Sequence, residues 1–360
     1  MARNHQTTVA SILSWLLAIV LAFACGPSQA DVVTAKPVTI TNGVRYTTTG
    51  ERIDAHSGTI LRAEDGMFYW YGDAYSCGFY WTDPSTPYCG AQVYRSVDLA
   101  RWSGPWRLFD ATTQYWQQLC AGSGCFRPKV VYNPSTKRYV LWLNTPDPDK
   151  NGYRVLTSSS PIGPFKLVGR PELHDGAIPD SLGNAGARDG DEGLFVDHNG
   201  AAWLVWDRVG RLLLERLDSW FVSGTGTPTE ILNYPEIMPN PGVESPSEFQ
   251  HQGRYYIAMS LPRCGYCTGT GTAIEQAPAP GGPWTYQGIV SSTSCGGQPN
   301  EVDQTEPSML LWSSDQWQQG GSFGTPPRLN EALATQEWEP LTFTGSDVGT
   351  ISCAASFGLT

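Results

Sequence analysis

The sequence has little charge of either sign, no excess of positive charge, and no apolar run long enough to cross a bilayer. Asp, Glu, Lys and Arg make up 16% of its 360 residues, and 34 acidic residues outnumber 23 basic ones. The apolar run at residues 12–24 is shorter than the roughly 20 residues of a membrane-spanning helix. This composition argues against nucleic acid and membranes as partners.

The N-terminus instead carries the pattern of a secretory signal peptide. A basic segment precedes the apolar run, and Ser28-Gln29-Ala30 places small residues at the two positions that a signal peptidase reads. We therefore expect residues 1–30 to be removed and residues 31–360 to form a secreted, extracellular protein with one catalytic domain. A lipid anchor at Cys25 is the less favoured alternative, because the residues before it lack the expected leucine.

A convincing metal-binding pattern is also missing. Eight cysteines remain after the signal peptide, and an even number in an exported chain predicts disulfides. We expect the local pairs Cys120–Cys125 and Cys264–Cys267, while the other connectivity stays open. The single CxxC has no histidine pair at zinc-finger spacing, so no cofactor or catalytic metal is predicted. A structural calcium ion near the acidic residues 189–192 stays an open alternative.

Long segments with a helical period are absent, whereas glycine, proline and aromatic residues are abundant. The chain has 39 Gly, 27 Pro, 14 Trp and 16 Tyr, a composition that favours short strands and turns. A turn followed by an aromatic strand recurs five times, at residues 65–74, 134–144, 197–207, 249–260 and 307–317. Five copies at this spacing predict an all-β fold, a five-bladed β-propeller.

Two carboxylates stand ahead of copies of this repeat. Glu244 lies two residues before Pro246 and just ahead of residues 249–256, which we predict to be one buried strand. Asp191 precedes the third copy. Because the innermost strand of a propeller blade begins near the central axis, the two carboxylates are expected to face each other across one funnel. Such a pair suits glycosidic bond cleavage, in which one carboxyl group with a raised pKa donates a proton.

Six stretches together carry a resemblance to a known family. They are DAHSG (54–58), FYWYG (68–72), RPKVVYN (127–133), DEGLFVD (191–197), VESP (243–246) and NEALA (330–334), with Trp338. The sequence after the signal peptide resembles glycoside hydrolase family 43 through them, and within it the exo-acting 1,3-β-galactosidases that trim galactan. The resemblance implies a five-bladed propeller and a polysaccharide or oligosaccharide substrate, and we expect a monomer.

The resemblance also implies roles for individual residues. Glu244 matches the general acid, and Asp191 matches the acidic residue that tunes the pKa of that acid and positions substrate. Gln298 matches a glutamine that orients the attacking water, with Gln304 as a weaker alternative. Positions that bind the sugar are expected at Asp54, His56, Tyr71, Asp73, Phe126 and Arg127.

One position departs from the subfamily pattern. Where the subfamily has a glutamate before Arg-Pro-Lys, this chain has Phe126. The missing charge leaves the substrate open, and Asp54 or Glu192 are candidates to supply it. Phe126 could also widen an apolar platform for a different sugar.

These observations lead to one hypothesis and two alternatives. The hypothesis is an inverting exo-β-1,3-galactosidase acting on galactan or arabinogalactan side chains, with about 6.5–9.5 Å between the acid and the group that activates water. An α-L-arabinofuranosidase or β-xylosidase of the same family is the first alternative. A sugar-binding propeller without catalysis is the second.

Overall fold

The computed structural model describes residues 38–81, 83–122, 124–146, 152–174, 189–208, 211–231, 243–261, 269–306, 309–317 and 330–359. The predicted signal peptide and the predicted pair Cys264–Cys267 lie outside these residues. Pro37–Thr360 forms one compact unit. No helix in the described part of the chain is long and apolar enough to span a membrane.

Five antiparallel sheets form the blades of a ring, which confirms the predicted five-bladed β-propeller. The first strand, β1 (Val38–Thr41), precedes the blades. Blade 1 contains β2 (Ile60–Arg62), β3 (Phe68–Asp73), β4 (Ala91–Ser96) and β5 (Trp102–Arg107). Blade 2 contains β6 (Phe126–Asn133), β7 (Arg138–Asn144), β8 (Tyr153–Ser158) and β9 (Lys166–Gly169). Blade 3 contains β10 (Glu192–Val196), β11 (Ala202–Arg208), β12 (Arg211–Arg216) and β13 (Thr229–Ile231).

The last two blades and the closing strands complete the ring. Blade 4 contains β14 (Glu244–His251), β15 (Arg254–Leu261), β16 (Gly271–Ala277) and β17 (Thr285–Ser291). Blade 5 contains β18 (Gln298–Glu306), β19 (Met309–Gln316) and β20 (Thr335–Pro340). The other described elements are helix α1 (Gln114–Cys120), the 3-10 turns Ser294–Gly296 and Glu331–Leu333, and strands β21 (Phe343–Thr344), β22 (Asp347–Val348) and β23 (Ser356–Leu359). Strand β23 pairs antiparallel with β1, with Val38 opposite Leu359.

Hydrophobic cores fill the spaces between neighbouring blades. Trp142 and Trp206 pack between blades 2 and 3, and Trp70 and Trp338 pack between blades 1 and 5 with ring centroids 4.8 Å apart. Each blade therefore buries both of its faces. For this reason the sequences of the central strands are almost continuously apolar and aromatic. Aromatic side chains supply the largest buried areas per residue, and they set the spacing of the blades.

The five aromatic copies in the sequence become the second strands of the five blades, β3, β7, β11, β15 and β19. The prediction of a single strand over residues 249–256 is wrong. Phe249 lies in β14, which ends at His251, and Tyr256 lies in β15, with a hairpin at Gln252 and Gly253 between the two strands. Gly253 has φ +79°, a conformation that glycine adopts readily, and this is the turn that the repeat at residues 249–260 predicted.

The first strands of neighbouring blades contact each other around the axis, and polar side chains connect them there. Lys129 in β6 places its Nζ 2.6 Å from Glu301 Oε2 in β18, and the hydroxyl of Ser247 in β14 donates to Glu301. Lys129 is 1% exposed. Three blades are therefore joined by a buried, paired charge at the centre of the ring.

Disulfides connect three pairs of described cysteines: Cys77–Cys89, Cys120–Cys125 and Cys295–Cys353. The predicted pair Cys120–Cys125 is one of them, and it joins the end of α1 to the residue before β6. Disulfides are typical of oxidising compartments, so the three pairs are compatible with an extracellular location.

Replacing Gly193 with alanine is expected to destabilise the ring. A Cβ atom at Gly193 would lie 2.3 Å from the carbonyl oxygen of Pro246, so β10 and β14 would be pushed apart. Overpacking of this kind costs about 1–3 kcal/mol, which would be measured as a lower midpoint in urea unfolding. Gly226→Ala is the matched control, because nothing lies within 4 Å of a Cβ atom there. Equal midpoints for the two variants would contradict the close approach of the strands.

Candidate active site

A pocket of about 540 Å³ opens where the first strands of the blades begin. Phe126, Glu244 and Gln298 are the first residues of β6, β14 and β18, and Asp191 immediately precedes β10. The structure therefore places Asp191 and Glu244 in one pocket, where the sequence predicted that they would converge. The described lining residues are Ser57, Tyr75, Trp81, Phe126, Arg127, Asp191, Glu244, Gln298 and Trp317.

A bulge in β14 sets the position of Glu244. The pairing of β14 with β15 shifts between Glu244 and Ser247, because Ser245 has φ +51° and Pro246 has no N–H to donate to the ladder. Glu244 thus lies at the mouth of the strand, as its position before Pro246 predicted. Its pKa is raised to about 8, first by burial and then by the negative charge of Asp191. The carboxyl group of Glu244 is therefore mostly protonated at neutral pH.

Asp191 is held by an ion pair and by the bulge beside Glu244. Arg127 Nε lies 2.7 Å from Asp191 Oδ2, and the backbone N–H and the hydroxyl of Ser245 each donate to the same oxygen at 3.2 Å. Arg127 has φ +55°, and its backbone N–H donates to Asp73 Oδ2 at 3.0 Å. Blades 2, 3 and 4 therefore fix the distance between the charge of Asp191 and the carboxyl group of Glu244.

Gln298 contacts Glu244 directly. Its Nε2 donates to Glu244 Oε2 at 2.8 Å, and Trp317 Nε1 donates to Gln298 Oε1 at 3.0 Å. The expected separation of 6.5–9.5 Å between the acid and this glutamine is therefore wrong. The first residues of β14 and β18 are neighbours in the ring, which brings their side chains into contact.

Four aromatic side chains form the apolar part of the pocket: Tyr75, Trp81, Phe126 and Trp317. Of these, Phe126 is the only one singled out from the sequence. Tyr75 and Trp81 lie in the loop after β3, and Trp317 follows directly after β19. Trp317 ends the fifth aromatic copy, so the repeat contained a signal for it, whereas nothing in the repeat pointed to the loop after β3.

Asp54, His56 and Asp73 lie beneath the pocket wall and not on its surface. Asp54 accepts the backbone N–H of Tyr75 at 3.0 Å and contacts His56 Nε2 at 3.1 Å, and the His56 ring stacks on Tyr75 at 5.2 Å. Asp73 is buried and holds the backbone of Arg127. None of the three is among the described residues that line the pocket. Asp54 and His56 hold Tyr75 in place through a hydrogen bond and ring stacking, and Asp73 holds Arg127 through its backbone N–H.

The buried histidine is surrounded by carboxylates. Burial alone would lower the pKa of His56, but the hydrogen bond to Asp54 at 3.1 Å and the carboxylate of Asp315 at 3.6 Å outweigh burial and raise the pKa to about 9. His56 is therefore a cation at neutral pH. It balances the two carboxylates that anchor Tyr75 and Ser57, since Asp315 Oδ2 accepts the backbone N–H of Ser57 at 2.9 Å.

Tyr71 does not line the pocket. The side chain is fully buried in the core between blades 1 and 2, and its hydroxyl donates to the carbonyl oxygen of Pro161 at 2.9 Å. The prediction that Tyr71 binds substrate is wrong, because alternate side chains of a strand point to opposite faces. Phe126 and Arg127 do line the pocket, as predicted.

The candidates for the charge missing at Phe126 do not reach the pocket. Glu192 is fully buried behind Asp191, and its pKa is raised well above the usual value by burial and by the charge of Asp191. Asp54 is engaged beneath Tyr75. Gln304, the weaker alternative to Gln298 as the glutamine that orients water, is exposed near the other end of β18. Within the described residues, no group of three or more His, Cys, Asp or Glu is arranged to hold a metal ion.

Comparisons with known proteins identify the family and the fold. Residues 59–317 match the family model described as Glycosyl hydrolases family 43. No curated protein matches the chain significantly. Among solved structures, the chain resembles a family 43 β-1,3-galactosidase solved with galactodeoxynojirimycin (22% identity, TM-score 0.69, covering 87% of this chain and 98% of the other).

Two further structures are similar to the same extent. One is an exo-β-1,3-galactanase from Phanerochaete chrysosporium with β-1,3-galactotriose (23% identity, TM-score 0.68, 89% of this chain and 68% of the other). The second is an exo-β-1,3-galactanase from Clostridium thermocellum (22% identity, TM-score 0.68, 89% of this chain and 68% of the other). At these identities the likeness establishes the fold.

Proposed function

Because the chain belongs to glycosyl hydrolases family 43 and is therefore a glycoside hydrolase, we propose that it is a secreted, inverting exo-β-1,3-galactosidase. The observation that carries this proposal is the carboxyl group of Glu244, held protonated by a pKa of about 8 in a pocket with four aromatic side chains. A protonated carboxyl group can give its proton to the leaving glycosidic oxygen. Aromatic rings stack on the apolar faces of sugars.

Four residues prepare the acid in this proposal. Asp191 contributes the negative charge that keeps Glu244 protonated, and Arg127 holds Asp191 in place. Gln298 positions the acid, because its N–H donates to Oε2 of Glu244 and so leaves Oε1 to carry the acidic proton. Trp317 fixes the orientation of the Gln298 amide by donating to its oxygen.

The proposed substrate is the end of a β-1,3-linked galactose chain. The pocket is small and lies at the mouth of the ring, which suits a chain end better than the middle of a polymer. The ligands in two of the similar structures, galactodeoxynojirimycin and β-1,3-galactotriose, support galactose as the sugar. The predicted signal peptide and the disulfides support secretion.

The test is product release by residues 31–360 from β-1,3-galactan, with arabinan and xylan in parallel. We expect galactose alone, released first as the α-anomer, because inversion at a β-linked carbon gives the α-product; proton NMR of the first turnovers distinguishes the anomers. Arabinose or xylose as the sole product would replace the substrate. An initial β-anomer would overturn inversion.

A sugar-binding propeller without catalysis is the second candidate, favoured by one observation. Phe126 occupies the position of a carboxylate, and the carboxylates among the described lining residues are Glu244 and the ion-paired Asp191. No obvious base for the attacking water is therefore present among them. Binding of β-1,3-galactotriose in calorimetry with no product from any polysaccharide would select this candidate.

A further inference from the structure

A tryptophan projects into solvent at the end of blade 3 that faces away from the pocket. Strand β10 starts at the pocket and runs away from it, β11 returns, and β12 runs away again, so residues 218–222 after β12 lie at the far end. The side chain of Trp220 in this segment is 62% exposed, more than any other large hydrophobic residue described. An exposed indole is costly, and it marks a candidate interaction site.

The backbone on both sides of Trp220 is rigidly held. Phe221 is buried and has φ +64°, a strained conformation for an aromatic residue, and its carbonyl oxygen accepts Trp142 Nε1 at 2.8 Å. Asn133 Nδ2 donates to the carbonyl oxygen of Ser219 at 2.9 Å. Asp218 Oδ1 accepts the N–H of Trp220 at 3.0 Å. Blade 2 thus holds the segment so that Trp220 faces outward.

A groove of about 1130 Å³ lies beside the indole, between blades 2 and 3. Arg138 and Lys166 line it together with the hydroxyl groups of Thr157 and Ser159. No acidic residue is among its described lining residues, although the chain has a net charge of −11. Within the described residues, neither Arg138 nor Lys166 has a side-chain hydrogen bond or an ion pair. The groove is therefore a positive patch on an acidic protein.

We propose that this groove is a second carbohydrate site, separate from the pocket, that binds a carboxylate-bearing sugar unit of a polysaccharide. The indole of Trp220 stacks on the apolar face of the sugar ring. Arg138 and Lys166 pair with the carboxylate, and Arg138 can do so through two parallel N–H bonds. The hydroxyl groups of Thr157 and Ser159 bond the ring hydroxyls. The unpaired positive charges select an anionic occupant, and an aromatic platform selects a ring.

The test measures binding in a Glu244→Gln background, so that turnover plays no part and the result is independent of the proposed reaction. The probe is a glucuronate-bearing arabinogalactan, and the control probe is the same polymer with its carboxyl groups reduced to alcohols. We expect affinity electrophoresis to show binding to the acidic polymer at least 10-fold tighter than to the reduced one. Binding should weaken as salt is raised.

Matched variants locate the site. Trp220→Ala and Arg138→Gln should each weaken binding of the acidic polymer by about 10-fold. Tyr46→Ala removes another exposed aromatic side chain and Arg101→Gln another exposed cation, and both should stay within twofold. Equal binding of the two polymers, or no effect of Trp220→Ala, would overturn the proposal. A change of sedimentation coefficient in Trp220→Ala alone would assign the groove to a second copy of the chain.

Discussion

Replacing Glu244 with glutamine lowers the rate of galactose release by about 1000-fold, in the range of a lost general acid, and leaves the affinity for β-1,3-galactotriose within about threefold. The amide keeps the size of the carboxyl group and can still contact Gln298, but it has no acidic proton to give to the leaving oxygen. An activated substrate bypasses that need. A dinitrophenyl β-galactoside, whose leaving group is stable as an anion, should therefore lose no more than about 10-fold.

Glu248→Gln is the matched control for this variant. Glu248 lies on the same strand and is 2% exposed, and its pKa is raised well above the usual value by burial and by the charge of Asp197. Its carboxyl oxygens have no hydrogen-bond partner among the described residues, and it does not line the pocket, so glutamine replaces it at nearly the same size. If both Glu248→Gln and Glu244→Gln keep full activity, Glu244 is not the general acid.

Replacing Asp191 with asparagine moves the basic limb of the pH profile to lower pH. The wild-type enzyme should lose activity as pH rises through about 8, because that is where Glu244 loses its proton. Asp191 raises this pKa and Arg127 lowers it, so removing the negative charge leaves Arg127 unopposed. A charge at this range shifts a pKa by about 1–3 units. At pH 7, where the wild-type acid is mostly protonated, shifts of this size lower kcat/KM of the variant by about 2- to 100-fold.

Recovery at acidic pH separates this effect from a structural defect. If Asp191 acts through the pKa of Glu244, kcat/KM of the variant at pH 5 should approach that of the wild-type enzyme. Asp197→Asn is the control, because Asp197 follows the other end of β10 and binds Tyr255 and His198 there. That variant should lower the melting temperature without moving the limb. A limb that stays near pH 8 in Asp191→Asn would contradict the assigned role.

The blades were predictable from sequence because their second strands bury both faces. A strand such as β7, RYVLWLN, is apolar and aromatic from Tyr139 to Leu143, and five such strands reveal the repeat. The innermost strands give a weaker signal. Strand β18, QPNEVDQTE, is rich in polar residues because it faces the axis, where partners from other blades satisfy its side chains. Because those partners are remote in sequence, the burial of β18 could not be predicted from its own residues.

The site was predictable where chemistry and chain position coincide. Glu244 and Asp191 stand at strand mouths, and strand mouths meet in a propeller, so their convergence followed from the fold. The layer beneath the pocket was not predictable. His56 and Asp54 are polar, like residues that bind sugar, and only the three-dimensional structure places them behind Tyr75. The contact of Gln298 with Glu244 likewise depends on which blades are neighbours.

The pairing of the first and last described strands determines how the ring would respond to mechanical load. Val38 and Leu359 are opposite each other at one end of the two-stranded ladder, so a force pulling them apart would open the ladder one pair at a time, as in unzipping. Little force is needed for sequential rupture of this kind. Tension would then reach the bond between Cys295 and Cys353, which shields the residues between them from extension.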